Sequence, residues 1–557
     1  MNHLALVLSL ACFSTNPDCY DVVVYGGTSA GVTAAIQTAR QGKSVVLIEP
    51  TQHLGGLTSS GLGETDAGRA QFIGGLSREF YKRIKSHYDD DAAWKQQRKQ
   101  DYGQYRPKEN AMWKFEPHVA EKVFDQMVSA YPIKVVKGKQ LDPEGVIIVA
   151  GDWRHNNRIG SIRMTDGTEY CGKMFIDATY EGDLMAASGV QYTVGREGNA
   201  QYGELYNGVQ KYNEPRYQLT APLPAAYTFT QFIKKVDPYI TPGVPSSGLL
   251  PGINAKSQKT GDGDKMVQAY CFRTCLTDDP QNRVPFEKPE GYDELEYELL
   301  LRNFEAGDHR LPLWILPMPN RKADTNNRFA FSLDYMGRNH NYPEASAEER
   351  KKIIEDHKRF QKGLMWTLAN HPRVPEKIRK EVSRWGLAKD EFVDNGNWPY
   401  QIYVREGRRM ISDYVITQHD CFRKRIVDDP VGMGSYQMDS HNCQRFVTDE
   451  GYVQNEGEFA VDPGGPYLIS YRAIVPRKAS TENLVVPVAL SASHVAYGSI
   501  RMEPVFMILG QSAASAAVQA LDDGVALQDL DYSKLRQRLQ QDGQLLELPE
   551  VKEIAAK

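Results

Sequence analysis

Residues 21–49 read DVVVYGGTSAGVTAAIQTARQGKSVVLIE, and the order of residue types in this stretch decides the fold. An apolar β-branched run, Val22–Tyr25, ends in Gly26-Gly27-Thr28-Ser29-Ala30-Gly31. Small residues at helical spacing follow to Arg40, with Gly42 placed to stop the helix. A second apolar run, Val45–Ile48, then ends at Glu49. Strand, tight turn, helix, strand and acid in this order make a dinucleotide-binding βαβ unit. The glycine turn lets backbone approach a pyrophosphate, and the helix N-terminus offers unpaired N–H groups and partial positive charge. Glu49 is placed to accept hydrogen bonds from an adenosine ribose. Aligned on Gly26 and Gly31, the middle glycine of the fingerprint is Thr28. The reading is an adenine dinucleotide held by Gly26, Gly27, Thr28, Ser29, Ala30, Gly31 and Glu49, in preference to an ordinary βαβ turn.

Three later stretches narrow the dinucleotide to a flavin. Directly after Glu49 comes His53-Leu54-Gly55-Gly56-Leu57-Thr58-Ser59-Ser60-Gly61-Leu62-Gly63. A second glycine-and-hydroxyl segment is foreign to a plain nicotinamide dehydrogenase. In a flavoprotein it supplies donors along the flavin side of the pyrophosphate, here from Gly55, Gly56 and Leu57. Next, Met174-Phe175-Ile176-Asp177-Ala178-Thr179 reads as a returning strand whose Asp177, Ala178 and Thr179 pass near the cofactor. Tyr180 follows where a glycine is commoner. Last, Ser491–Pro504 runs into Val505–Ala517, rich in small residues from Gly510 onward. A helix beginning there would let Gly510, Gln511 and Ser512 meet a flat ring and aim N–H donors at flavin N1 and O2.

The segments YGGTSAGVTAA, EPTQHLGGLTSSGLG, FIDATYEGDLMAASGV, YVREGRRM and SHVAYGSIRMEPVFMILGQSAASAA together resemble the FAD-dependent oxidoreductase family, whose bacterial members are often labelled as related to xanthan lyase. The resemblance runs from about Tyr20 to about Gly524. It implies an α/β fold: a discontinuous Rossmann-like FAD-binding domain of the two-dinucleotide-binding type, with an inserted α+β substrate domain. Carried onto this chain, it places FAD contacts at Gly26, Gly31, Glu49, Gly55, Gly56, Asp177, Gly510 and Gln511. The lyase label is not inherited as chemistry, because polysaccharide lyases use a base on a uronic acid and need no flavin fold.

Composition is compatible with this. A chain of 557 residues exceeds one compact core, and 41% apolar with 25% charged residues is ordinary for a globular protein. A net charge of −5 leaves no footprint for nucleic acid, and no long apolar run suggests a transmembrane span. Residues 1–19 read as a signal segment with an h-region at Leu4–Phe13, implying export to a periplasm or medium; a lipid anchor at Cys12 is a weaker variant. The remaining division is an FAD-binding part over 20–199, a substrate domain over 200–484 with a solvated helical insertion near 344–384, and a closing FAD-binding part over 485–557. Cys171, Cys271, Cys275, Cys421 and Cys443 lack metal-ligand spacing and read as buried thiols.

The chemistry expected is hydride transfer from a substrate C–H to flavin N5, with proton removal from the adjoining O–H or N–H. The substrate is a small polar molecule, plausibly a sugar or glycan fragment; the electron acceptor is open. Three histidines stand in suggestive company: His494, ahead of the closing helix and the first choice for the base, His441 after Asp439-Ser440, and His419 beside Asp420. Arg501 and Glu503 either orient substrate or pair with each other. The clusters around Asn320–Asp324, Arg405–Arg409 and Ser435–His441 bind a polyol or carboxylate, or serve as buried ion-pair networks. Two other classes fit the same residues: a redox-neutral flavin-dependent lyase or glycoside-cleaving enzyme, and a non-catalytic glycan-binding protein on a flavoprotein scaffold.

Overall fold

The computed structural model describes residues 19–151, 157–211 and 230–549; the expected h-region and Cys12 lie outside the described residues. The first βαβ unit forms as its sequence dictates. Strand β1 (Tyr20–Tyr25) leads into helix α1 (Ser29–Arg40), then strand β2 (Val45–Glu49). Val22, Val23 and Val24 are fully buried, because helices and loops cover both faces of the sheet. Helix α3 (Pro117–Ser129) packs beside α1 and against helix α2 (Gly75–Asp89), and strand β3 (Lys134–Lys137) joins β2 in parallel. Pro117 starts α3 at a position where the missing N–H has no helical partner to lose.

Strands β4 (Leu141–Val149), β5 (Arg158–Met164) and β6 (Glu169–Asp177) form an antiparallel meander. The second half of β6 continues as a parallel neighbour of β1, Val24 opposite Ile176. Strand β7 (Leu484–Val485) pairs in parallel with β6 after an excursion of some three hundred residues, so the chain rebuilds the same sheet from distant pieces.

The excursion contains an antiparallel sheet of five short strands, in the spatial order Arg283–Val284, Gly386–Ala388, Cys275–Thr277, Lys322–Asn327 and Leu313–Met318. It also contains helix α4 (Ala347–Asn370), opened by a capping box between Ser346 and Glu349. The expectation of a solvated insertion near 344–384 is corrected here. Phe360, Leu364, Met365 and Leu368 of α4 are buried in a core with Phe331 and Leu301, and Arg350 holds Asp183 of the first domain with two contacts of 2.7 and 2.9 Å.

Helix α5 (His494–Ile500) packs on the strand Met438–Ser440, and helix α6 (Glu503–Asp523) closes the chain onto α1. By length and composition α6 could cross a bilayer, contrary to the reading that no such run exists, but 94% of its apolar window is buried inside the protein. It is a core helix. Gly510 explains how closely it approaches: an added Cβ there would sit 2.1 Å from the Ala30 carbonyl oxygen of α1.

One cysteine reading also changes. Cys171 is not a free thiol but is bridged to Cys19, which the sequence placed at the end of the leader. Parallel pairing of Tyr20 with Gly172 puts the two preceding residues side by side, with Cα atoms 4.7 Å apart. Cys271, Cys275, Cys421 and Cys443 are buried free thiols as expected. The bridge ties the start of β1 to β6, so Cys171→Ser is expected to destabilise the chain by about 2–4 kcal/mol. Thermal unfolding with and without dithiothreitol checks this: reductant should lower the wild-type midpoint and leave the variant's unchanged.

Candidate functional site

The first glycine turn is built as an anion cradle. Gly26 has φ +98°, and a Cβ there would lie 2.8 Å from the Ala178 carbonyl carbon. Gly31 is as confined: a Cβ would stand 1.8 Å from the Gly26 oxygen. Thr28 replaces the fingerprint's middle glycine without strain, at φ −63° and ψ 176°. Its hydroxyl donates to the Ala178 carbonyl at 2.7 Å and caps α1 by accepting from the Gly31 N–H at 3.4 Å. Thr28 therefore fastens the turn to the returning strand.

Glu49 is buried at the end of β2 and accepts from the Gly27 N–H at 2.6 Å and the Thr51 N–H at 2.7 Å; burial pushes its carboxyl up. The second glycine segment lies on the first through a Gly55 N–H to Gly27 carbonyl bond of 2.7 Å. A cavity of about 760 Å³ opens beside these loops, lined by Gly26, Thr28, Glu49, Thr179, Glu181 and Arg408 among others. Its size, the glycine-only approach of backbone and the acid at the β2 terminus fit the ADP half of FAD.

Two expected contacts are reassigned. Asp177 does not line the cavity. Its carboxylate is fully buried and accepts from the Thr179 N–H at 3.0 Å, the Thr179 hydroxyl at 2.6 Å and the Met185 N–H at 2.8 Å. It shapes the turn, while Thr179 lines the cavity and the Ala178 carbonyl holds the Thr28 hydroxyl. Gly510, Gln511 and Ser512 do not begin a helix, because α6 starts at Glu503. Gly510 packs on α1, Gln511 accepts from the Leu76 N–H of α2 at 2.7 Å, and Ser512 donates to the Val431 carbonyl at 2.6 Å. The apolar, small-residue pattern could not distinguish the first turn of the helix from its second and third.

The α6 terminus itself carries Glu503, which does not pair with Arg501. Its carboxylate accepts from the Ser29 hydroxyl at 2.6 Å, the Thr58 hydroxyl at 2.7 Å and the Tyr180 hydroxyl at 2.8 Å. Tyr180 in turn accepts from the Leu57 N–H at 2.9 Å, which accounts for a tyrosine where glycine is commoner. Three loops and a helix thus meet on one buried carboxyl. Burial pushes Glu503 up despite the three hydroxyls that favour its ionised form, and no cation pairs with it among the described residues.

Beyond α5 a second polar group assembles. Arg501 donates to the Tyr403 hydroxyl at 2.8 Å and to Asp439 Oδ2 at 2.9 Å. The Tyr436 hydroxyl donates to Asp66 at 3.0 Å. His441 Nδ1 lies 2.8 Å from Asp334 Oδ2, and its Nε2 stands 3.5 Å from Asp439 Oδ2. Burial, reinforced by Arg405, pushes the His441 imidazole below its ordinary value. Burial would raise Asp334, but Arg405 at 3.0 Å and His441 outweigh it and hold the carboxyl low.

His494, the first choice from sequence, is fully buried with both ring nitrogens engaged: Nδ1 at 2.8 Å from Glu406 and Nε2 at 3.2 Å from Ser440 Oγ. It is a satisfied core histidine. His419 bonds the Gly203 carbonyl at 3.1 Å, apart from the other two. Asp334, Tyr403 and Asp66 went unnoticed in the sequence because no spacing links them to His441 or Arg501. The Arg405–Arg409 and Asn320–Asp324 clusters are ion-pair networks: Arg409 meets Glu197 and Glu406, Arg408 meets Asp183, and Lys322 lies among Glu116, Asp390 and Glu391. Glu116, His118 and Glu391 are spaced to hold a metal ion, but the Lys322 ammonium already supplies the cation at 2.6–2.9 Å.

A doubly covered parallel sheet, a glycine turn under a helix N-terminus and a second glycine loop stacked on the first define a flavin-type dinucleotide-binding protein. The chain belongs to the FAD dependent oxidoreductase family, whose match spans residues 21–539. It is an FAD-dependent oxidoreductase with FAD as its cofactor. No curated protein matches it. Among solved structures it is similar to THI4 of Thermovibrio ammonificans, at 18% identity over 32% of this chain and 66% of that one, with a TM-score of 0.22. It is also similar to the L-proline dehydrogenase of P. horikoshii, at 18% identity over 32% of this chain and 59% of the other, with a TM-score of 0.23. The thioredoxin reductase of T. acidophilum shares 18% identity over 33% of this chain and 40% of its own, with a TM-score of 0.16. The matched part is less than two thirds of each of these proteins.

Glu503→Leu strands three buried hydroxyls at once, at about 1–3 kcal/mol each, and is expected to lose FAD and fold poorly. Glu503→Gln retains an acceptor for Ser29 and Thr58 and should keep stoichiometric FAD. The raised Glu503 pKa gives the sign of the pH effect. Its folded-state advantage is complete below the ordinary 4.5 and is lost as pH rises through the raised value. FAD retention and thermal stability of the wild type should therefore fall across that window more steeply than those of Glu503→Gln. Parallel pH dependence in the two proteins would count against a raised Glu503.

Proposed function

We propose that this enzyme oxidises a small hydroxylated substrate derived from a carbohydrate, by hydride transfer to flavin N5, with His441 as the base. The observation that carries the proposal is the state of the His441 ring. Nδ1 is held by Asp334, while Nε2 makes no hydrogen bond among the described residues and lies 3.5 Å from Asp439. With Asp334 accepting the Nδ1 proton, the Nε2 lone pair is left to take a proton from a substrate O–H or N–H. The lowered pKa keeps the ring neutral at physiological pH. Asp439, which stands 3.5 Å from Nε2, also accepts from Arg501, and Arg501 donates to the Tyr403 hydroxyl. FAD supplies the two-electron acceptor when bound. The residues that would hold it are those of the Gly26–Gly31 turn, Glu49, Gly55, Gly56, Leu57, Ala178 and Thr179.

Export is proposed as well. The Cys19–Cys171 bridge persists in an oxidising compartment, which agrees with export by a leader that ends before Cys19 rather than at it.

Anaerobic rapid mixing of the FAD-loaded protein with candidate polyols tests the reaction. His441→Gln should keep FAD and slow flavin bleaching by about 10²-fold or more. The wild-type rate should fall only below the ordinary histidine value of 6.5, since burial and Arg405 lower the His441 pKa, and this acid limb should vanish in the variant. His494→Gln should instead lower stability. Product formation with the flavin fully oxidised at the end would replace net oxidation by a redox-neutral reaction.

A further inference from the structure

Arginine is rarely buried without an anion, because removing a guanidinium from water is expensive unless a charge or full hydrogen bonding offsets it. This protein observes that rule with one exception. Among the described residues, buried arginines face carboxylates: Arg405 on Asp334, Arg501 on Asp439, Arg409 on Glu197, Arg196 on Asp264 and Glu456. Arg445 does not. It is 3% exposed, its Nε and Nη2 have no hydrogen-bond partner, and no acid forms an ion pair with it. The Phe331 ring lies under the flat face of its guanidinium, 4.6 Å to the centroid, which leaves the donor edge free. Burial without a paired charge pulls its pKa down to about 10, Asp334 offsetting only part.

The neighbours of Arg445 lack donors rather than acceptors. It lies on the strand Gln444–Val447, directly opposite Asn455 on Val453–Glu456. Asn455 spends its Nδ2 on the Thr230 and Ala330 carbonyls, at 2.6 and 2.7 Å, which fixes the amide and leaves a buried Oδ1 unpaired. Asn442 donates its Nδ2 to the hydroxyl of the same Thr230, at 3.0 Å, and to the carboxyl of Glu458, at 2.9 Å, where burial pushes that acid up; its Oδ1 is also buried and unpaired. The strand bearing these groups follows His441 directly, and Asp334 links the two ends by bonding His441 and attracting Arg445.

We infer that Arg445 anchors a substrate carboxylate, with the free oxygens of Asn442 and Asn455 accepting from the hydroxyls of the same molecule. The substrate class is a hydroxylated carboxylic acid such as a sugar acid. Nε and Nη2 form the side-on fork that matches a carboxylate bidentately. A phosphate would need more than the one unpaired cation present. This inference deepens the proposed function and rests on it for the oxidation step, but not for binding.

The test uses the FAD-loaded protein and two probes, D-glucuronate and D-glucose. Perturbation of the flavin absorbance reads binding, and anaerobic bleaching reads oxidation. Wild type should bind glucuronate in preference to glucose. Arg445→Met should weaken glucuronate by about 30-fold or more while leaving glucose within about 3-fold, and Arg445→Lys should recover part of the loss. Both variants are first checked for stoichiometric FAD and an unshifted far-ultraviolet spectrum. If Met does not fold, the Lys variant and the wild-type preference decide. Equal binding of the two probes, no binding of glucuronate by the wild type, or an Arg445→Met that binds it normally would each overturn the anchor. Arg445-dependent binding without bleaching would sustain the anchor and remove the oxidation reading.

Discussion

The carboxyl of Glu503 is the interaction on which the assembly of this protein depends. It is the first residue of α6, yet its partners are Ser29 on the first glycine turn, Thr58 after the second and Tyr180 after β6. A domain made of pieces hundreds of residues apart needs a point where the pieces report on one another. Side-chain hydroxyls converging on one buried acid provide it. Burial raises this carboxyl, and no cation pairs with it among the described residues.

The same network explains two departures from the usual fingerprint. Thr28 and Tyr180 each stand where glycine is commoner, and each uses a hydroxyl to join segments that glycine would leave unlinked. Thr28 is tolerated because its backbone is extended rather than left-handed. Gly26, by contrast, turns through φ +98° against the Ala178–Thr179 backbone and has no substitute.

The inserted part is coupled to the cofactor domain rather than appended to it. Arg350 of α4 and Arg408 both meet Asp183 beside the adenosine-side cavity, and β7 returns the chain to the sheet next to β6. The buried ion pairs throughout this region balance one another, which is why an unpaired guanidinium stands out against them.

Local pattern alone determined a good deal. The β1–α1–β2 unit and the return at Asp177 follow from periodicity, β-branching and glycine placement, all of which act over a few residues. So does the cofactor, since a glycine turn ahead of a helix and an acid at the next strand end have few other uses. What needed the tertiary structure were relations with no sequence spacing. Small residues around Gly510 looked like a helix start but serve a helix crossing, because close packing and ring approach favour the same residue types. His494 and His441 are indistinguishable by neighbours in sequence. Glu406 and Ser440 close off one, while Asp334 holds the other by a single nitrogen. Long-range pairing decided that, because hydrogen bonds recognise distance in space and not separation along the chain.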